Sequence, residues 1–167
     1  MNNKLQLILL SLFLLFLQVF VLNNIHFLGY INPYLYITFV FVYPLKENRI
    51  PFLFFAFLLG ICLDFFSDTG GIHAFSILSI AYIRLFFVKL YFRKTVADFS
   101  FFNLHSEAFG KVFNYVVTLT FLHHFILLSF ANFSFQNLSN VLLNTLFSSV
   151  FTLILFFTGT YIFTRNK

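Results

Sequence analysis

LQLILLSLFLLFLQVFVL, residues 5–22, follows a single lysine and contains no charged side chain. The hydrocarbon core of a bilayer is roughly 30 Å thick and is crossed by about 20 apolar helical residues. A helix is also the one open-ended structure that satisfies its own backbone in lipid. The run is therefore read as a membrane-spanning helix. A secretory signal has a similar apolar middle, but Asn23-Asn24-Ile25-His26 stands where a small-residue cleavage site would be, so the helix is expected to be retained.

The remainder of the chain has the same character. Of 167 residues, 60% are apolar, 23% aromatic and only 9% charged, with 31 Phe and no Trp. Soluble domains carry about 25% charged residues, so most of this surface does not face water. Residues 93–111 form the longest polar stretch, too short for a core of its own, which argues against a soluble catalytic domain. The single cysteine, Cys62, excludes a disulfide framework within one chain and any multi-cysteine metal site. The net charge of +5 comes from basic residues scattered between apolar segments and not gathered in one stripe, so nucleic acid is not an expected partner.

Five more spans follow. Residues 27–45 are interrupted by Gly29 and Asn32-Pro33, and because proline disfavours helix at the residue before it, regular helix is expected to begin at Pro33 or Tyr34 and to be short. Residues 52–66 follow Pro51, a good first-turn residue, and are short too, which calls for thinned or protein-lined surroundings. Residues 72–92, 112–131 and 141–163 complete an all-α, six-helix membrane bundle formed as one domain over residues 1–167. Cytoplasmic loops hold the excess of Lys and Arg. With six alternating helices, Lys4, Lys46, Arg49, Arg93, Lys94, Lys111, Arg165 and Lys167 fall on one side, and Arg84 and Lys89 lie in the half of the fourth helix nearest it, within snorkelling reach. Both termini are thus expected in the cytoplasm. The segment 93–111, with Phe99, Phe101, Phe102, Leu104 and Phe109 among its charges, reads either as a short interfacial helix on anionic lipid or as a solvated loop with aromatic anchors.

The densest polar cluster is Gly60-Ile-Cys-Leu-Asp64-Phe-Phe-Ser-Asp68-Thr-Gly70-Gly71-Ile-His73. An ionisable residue inside a span is costly unless paired, which makes Asp64 the first candidate for a functional position. Asp68 is four residues on and shares its face if the helix continues, but helix-cap preferences favour Asp68 as the N-cap of the fourth helix, with Gly70-Gly71 making the turn. Three enzyme classes are incomplete here. Gly60-x3-Asp64-x3-Asp68 matches only the second half of the CDP-alcohol phosphotransferase motif, and too few carboxylates remain for two metals. An intramembrane aspartyl protease needs two Asp sharing a proton, and a metalloprotease needs His-Glu-x-x-His spacing. His123 and His124 are adjacent, point about 100° apart on a helix, and are read as histidines bonded to a neighbouring helix. His105-Ser-Glu107 lacks the cysteines of a zinc deaminase. No cofactor, metal site or catalytic residue is expected. Arg84 either snorkels or neutralises a buried partner or a lipid headgroup, while Asn114, Asn144, Ser148 and Ser149 are expected to hold helices together.

Gly60-x3-Asp64, Gly71-x-His73 and then Ala81-Tyr82 in the following helix resemble the signature of the MreD family of bacterial rod shape-determining membrane proteins. The resemblance is specific over residues 33–92 and is topological elsewhere. It departs at Ser67-Asp68-Thr69, where the family more often has an uncharged turn. It implies a non-enzymatic scaffold in the bacterial cytoplasmic membrane, beside MreC, the actin-like MreB, RodA and a penicillin-binding transpeptidase, supporting lateral peptidoglycan synthesis. MreD-like proteins are also similar in helix arrangement to the substrate-binding subunits of energy-coupling-factor vitamin transporters. The resemblance gives Gly60 a close helix approach, Asp64 a buried polar contact with another helix or a partner span, and Gly71 and His73 the shape of the outer turn. A transport subunit would instead enclose a pocket of convergent polar groups, for which Asn23, Asn24, His26, Asn32 and Asp64 are the residues on the outer side.

Overall fold

The computed structural model describes residues 3–25, 31–45, 48–93, 104–132 and 138–165. Among them the chain is all-helical: α1 Asn3–Phe20, a short α2 Thr38–Val42, α3 Ile50–Ser67, α4 Ile72–Phe92, α5 Phe109–Asn132 and α6 Leu138–Arg165. Single 3-10 turns lie at Leu22–Asn24, Leu35–Ile37 and Leu104–Ser106. Five segments are long and apolar enough to cross a membrane: Leu5–Asn24, Ile50–Ser67, Ile72–Phe92, Phe109–Asn132 and Leu138–Ile162. The protein is a helical membrane protein. Its outward face carries large apolar side chains such as Phe13, Phe54, Phe65, Phe86 and Ile154, as expected of a surface solvated by lipid tails.

Contacts fix the directions of the helices. Asn23, just beyond α1, donates to Ser67 at the end of α3 (2.9 Å), so α1 and α3 point the same way. Phe75 and Tyr91 of α4 meet Phe130 and Thr118 of α5, making that pair antiparallel. Phe113 of α5 stacks on Phe157 of α6 and Phe109 packs tilted against the same ring, so α6 reverses direction again.

Between the two parallel helices α1 and α3 the chain has to return, and residues 31–45 make that return through the middle of the molecule. Pro33 and Leu35 lie against Gln18 in the last turn of α1, and the Tyr43 ring lies 4.8 Å from Phe52 in the first turn of α3. Tyr36, Ile37, Phe39, Val40 and Phe41 are buried. The expected second span is therefore not a membrane-length helix. Regular structure begins at Leu35 and ends at Val42, and residues 26–30, which include Gly29, lie outside the described residues. Non-helical backbone is tolerated at membrane depth only where protein satisfies it, and here side chains do so. Gln18 donates to the Pro33 carbonyl and accepts from the Leu35 N–H, both at 2.9 Å. Thr152 and Ser148 of α6 accept from the N–H groups of Tyr34 and Asn32.

The α3–α4 turn also differs from expectation. Asp68 does not cap α4; it ends α3 in the left-handed region at φ 52°, with its N–H on the Asp64 carbonyl. Gly70 and Gly71 follow at φ 62° and 99°, values glycine adopts without a Cβ clash, and Gly71 stands at the N-cap position with no side chain to cap the helix. Most of the 93–111 segment lies outside the described residues; within them only the turn at Leu104–Ser106 and the start of α5 are seen.

Candidate functional site

Two of the N–H groups that α4 leaves without helical partners, those of its second and third residues, are met from another helix. Asp64 Oδ1 accepts from the His73 N–H at 2.9 Å and Oδ2 from the Ala74 N–H at 2.8 Å, while the Thr69 hydroxyl also donates to Oδ1. A carboxylate suits this place, because a helix N-terminus presents unpaired donors and the positive end of its dipole. The cap that the turn sequence fails to supply is thus supplied by α3, one turn before its end. This requires α3 and α4 to approach closely, and Gly60, one turn earlier on the Asp64 face, permits it. A Cβ built there would lie 2.8 Å from the Ala74 nitrogen, 2.9 Å from Ile77 Cγ2 and closer still to the Ala74 Cα. Gly60, Asp64, Gly71 and His73 therefore meet in one corner.

Arg84 lies elsewhere and does not snorkel. It is almost completely buried, and its partners are neutral. Nε donates to the Tyr115 hydroxyl (3.1 Å), Nη2 donates to the carbonyls of Tyr43 (2.6 Å) and Phe41 (3.3 Å), and the guanidinium lies 5.0 Å from the Phe52 ring centre. Those carbonyls are the ones left open where α2 stops, so the arginine closes the C-terminal end of the broken segment as Gln18 closes its start. Nη1 is buried without a partner.

Three histidines gather between these two points. The Tyr36 hydroxyl lies 2.9 Å from both His73 Nδ1 and His123 Nε2, linking α4 to α5 through the broken segment. A phenol donates once and accepts, so one histidine receives its proton and the other donates to it. His123 Nδ1 has no partner. An orphaned lone pair costs less than an orphaned N–H, which favours His123 donating through Nε2, Tyr36 donating to His73 Nδ1, and His73 carrying its own proton on Nε2. His124 is bonded through Nδ1 to the Thr120 carbonyl (2.8 Å) and through Nε2 to the Thr152 hydroxyl (2.9 Å). A carbonyl only accepts, so Nδ1 bears the proton and Nε2 is an acceptor facing Thr152, whose single hydroxyl proton is also directed at the Ser148 carbonyl (2.9 Å). The Tyr34 ring packs among all three imidazoles, with centres 5.2 to 6.5 Å apart.

His73 also borders a cavity of about 380 Å³ at the end of the bundle where α1 and α3 finish. Asn23, Asn24, Asn32, Tyr34, Ser67 and Thr69 line it with Val19 and Phe66. Of the polar residues named for an outward pocket, Asn23, Asn24 and Asn32 are brought together here; Asp64 is directed into the helix cap instead, and His26 is outside the described residues. Ser148 bonds the Asn32 N–H, whereas Ser149 is buried without a partner, Asn114 is exposed and Asn144 half-buried. Among the described residues no group of three His, Cys, Asp or Glu side chains is placed to hold a metal.

Sequence reasoning missed Gln18, Tyr36, Tyr115 and Thr152. Gln18 carried a signal, being an amide inside an apolar run; tyrosines among so many aromatics carried none. Comparison of the chain with protein-family models, curated proteins and solved structures gives no match.

Proposed function

We propose that this membrane protein is a non-enzymatic scaffold of the bacterial cell-elongation complex, acting in the cytoplasmic membrane through helix contacts with MreC and wall synthases. The supporting observation is the corner made by Gly60, Asp64, Gly71 and His73, the residues on which the MreD resemblance rests. Each has a task internal to the fold there, and Asp64, the carboxylate that chemistry would need, has both oxygens engaged by N–H and hydroxyl donors. What remains for partners, among them MreB, RodA and a penicillin-binding transpeptidase, is the outer surface and the short cytoplasmic segments. On this reading the chain crosses six times with both ends in the cytoplasm. The parallel course of α1 and α3 supports counting residues 31–45 as the second crossing, and the placement of all ten Lys and Arg supports the orientation.

The test is purification of the tagged chain from its native membrane in mild detergent, with identification of what accompanies it. Recovery of MreC or wall synthases is the expected result. Recovery of paired ATPase subunits with a coupling membrane protein would replace this reading with that of a transporter's substrate-binding subunit. The polar cavity beside His73 is the one observation that favours this second reading.

A further inference from the structure

We propose that the cleft between the start of α3 and α4 binds the phosphate group of an anionic phospholipid. This rests on the membrane class of the protein and not on the scaffold reading. Asn48, Arg49, Phe52 and Arg84 are among the residues that line the cleft. Arg49 directly precedes α3, a helix of 18 residues and so about 27 Å long, which sets the cleft at the depth of lipid headgroups.

Charge selects the ligand. Arg84 is a buried cation held only by neutral groups, the Tyr115 hydroxyl and the carbonyls of Phe41 and Tyr43. Arg49 borders the same cleft; its Nη2 donates to the Tyr82 carbonyl at 2.5 Å, and its guanidinium lies 5.6 Å from the Tyr82 ring centre. Among the described residues no carboxylate meets either arginine. Asp64 is fixed to the N–H groups of His73 and Ala74, and Ala74 is about 15 Å along α4 from Arg84. Lys46 and Glu47, which stand between Leu45 and Asn48 in the sequence, lie outside the described residues; their formal charges cancel, so together they bring no net counter-charge. Two cations beside lipid are costly without one.

The dimensions set how the phosphate is met. The cleft has a volume of about 10 Å³, which admits one oxygen-sized atom and not a whole phosphate. The phosphorus therefore stays at the mouth, within reach of half-exposed Arg49 and exposed Asn48, while one oxygen enters toward Arg84. Arg84 is itself closed to water and acts on that oxygen through its uncompensated charge, with Nη1 the corner of the guanidinium that no other group has claimed. The mouth opens beside an apolar strip. Ile50 and Phe54, four apart on α3, and Tyr82 and Phe86, four apart on α4, are exposed and offer acyl chains a path from a headgroup held at Arg49. Phosphatidylcholine carries the same phosphate but cancels its charge with choline, so the unpaired arginines select a lipid of net negative charge.

The experiment is native mass spectrometry of the full chain in a neutral, phosphate-free detergent, titrated with phosphatidylglycerol and with phosphatidylcholine. One saturable phosphatidylglycerol adduct is expected, about tenfold tighter than phosphatidylcholine, or 1.4 kcal/mol. Asn48→Asp keeps the acceptor that Asn48 Oδ1 gives the Ile50 N–H and sets a negative charge at the mouth; it should weaken the adduct about tenfold, as should Arg49→Gln. Lys89→Gln removes the same charge from an exposed position near the end of α4, outside the cleft lining, and should leave the adduct unchanged. Monodispersity and melting temperature establish that each variant folds; if Arg49→Gln does not, Asn48→Asp decides. Glu47→Gln should bind as the parent chain does, and an adduct that forms only in that variant would identify Glu47 as the counter-charge and overturn the proposal. Inorganic phosphate at millimolar concentration should not displace the lipid; displacement would assign the cleft to a soluble oxyanion instead. Equal binding of the two lipids, or equal weakening in Lys89→Gln and Arg49→Gln, also overturns the proposal and leaves only a general attraction between a basic surface and an anionic membrane.

Discussion

Replacing Gly60 by alanine sets two effects against each other. Alanine is the better helix former, worth about 1 kcal/mol over glycine in a helix interior. Against this stands the Ala74 nitrogen at 2.8 Å from the new Cβ, with the Ala74 Cα nearer. These are backbone atoms, so no rotamer change relieves the contact, and α4 must move away by more than half an ångström to restore ordinary separation. Drawing the start of α4 away from α3 also lengthens the Asp64 bonds to His73 and Ala74, which stand at 2.9 and 2.8 Å. Both would pass the useful limit of about 3.2 Å. Hydrogen bonds to a charged group contribute about 1.5–3 kcal/mol each, so partial loss of two outweighs the gain in propensity. The expected net destabilisation is about 2–4 kcal/mol, or a fall of about 5–15 °C in Tm by the scaling for a chain of this size. Circular dichroism of the purified chain during heating gives the Tm. The same substitution made in an Asp64→Ala background should cost much less, because the bonds it breaks are already gone. Ala74→Gly should not rescue it, because the obstructing atoms are backbone. An unchanged or raised Tm in Gly60→Ala would refute the close approach and the coupling to Asp64.

Asp64→Asn sets an amide donor against one of the two α4 N–H groups and should lower stability by about 2–3 kcal/mol; if neither it nor Asp64→Ala alters thermal stability, growth or partner recovery, the capping role is wrong. Arg84→Lys should cost about 3 kcal/mol or more, because a single ammonium cannot reach the Tyr115 hydroxyl and two carbonyls as the guanidinium fork does. Tyr115→Phe, which removes one of those partners, should cost only about 1–2 kcal/mol, and equal losses in the two variants contradict this division. Tyr36→Phe leaves ring nitrogens of His73 and His123 without their shared partner and should cost about 1–3 kcal/mol by melting; no loss would mean the bridge is not made. Lys46→Cys in a Cys62→Ser background should react with a membrane-impermeant maleimide in inverted vesicles and not in intact cells, whereas labelling of intact cells would remove the six-crossing orientation.

Sequence alone determined the membrane class and the five long helices. An apolar run near bilayer length leaves the backbone one structure in lipid, and that constraint is local. The ends agree within a few residues, and α4 agrees at both. Gly60 and Asp64 were legible for the same reason, since a glycine and a carboxylate are conspicuous inside such a run. Their partners were not. That Asp64 caps α4 in place of Asp68 follows from the left-handed end of α3, a geometry set by the turn and the packing together. The break at Asn32-Pro33 was visible, but its consequence was not. Only the tertiary structure supplies Gln18 from α1, Thr152 from α6 and Arg84 from α4 to the exposed backbone groups, and so lets a short helix with non-helical ends pass through the core. The cavity likewise lies where α1 and α3 end and the broken segment begins, which brings Asn23, Ser67, Asn32 and His73 around one space. Backbone hydrogen bonding in lipid is decided within a segment, whereas the satisfaction of a break and the shape of a cavity are decided between segments distant in sequence.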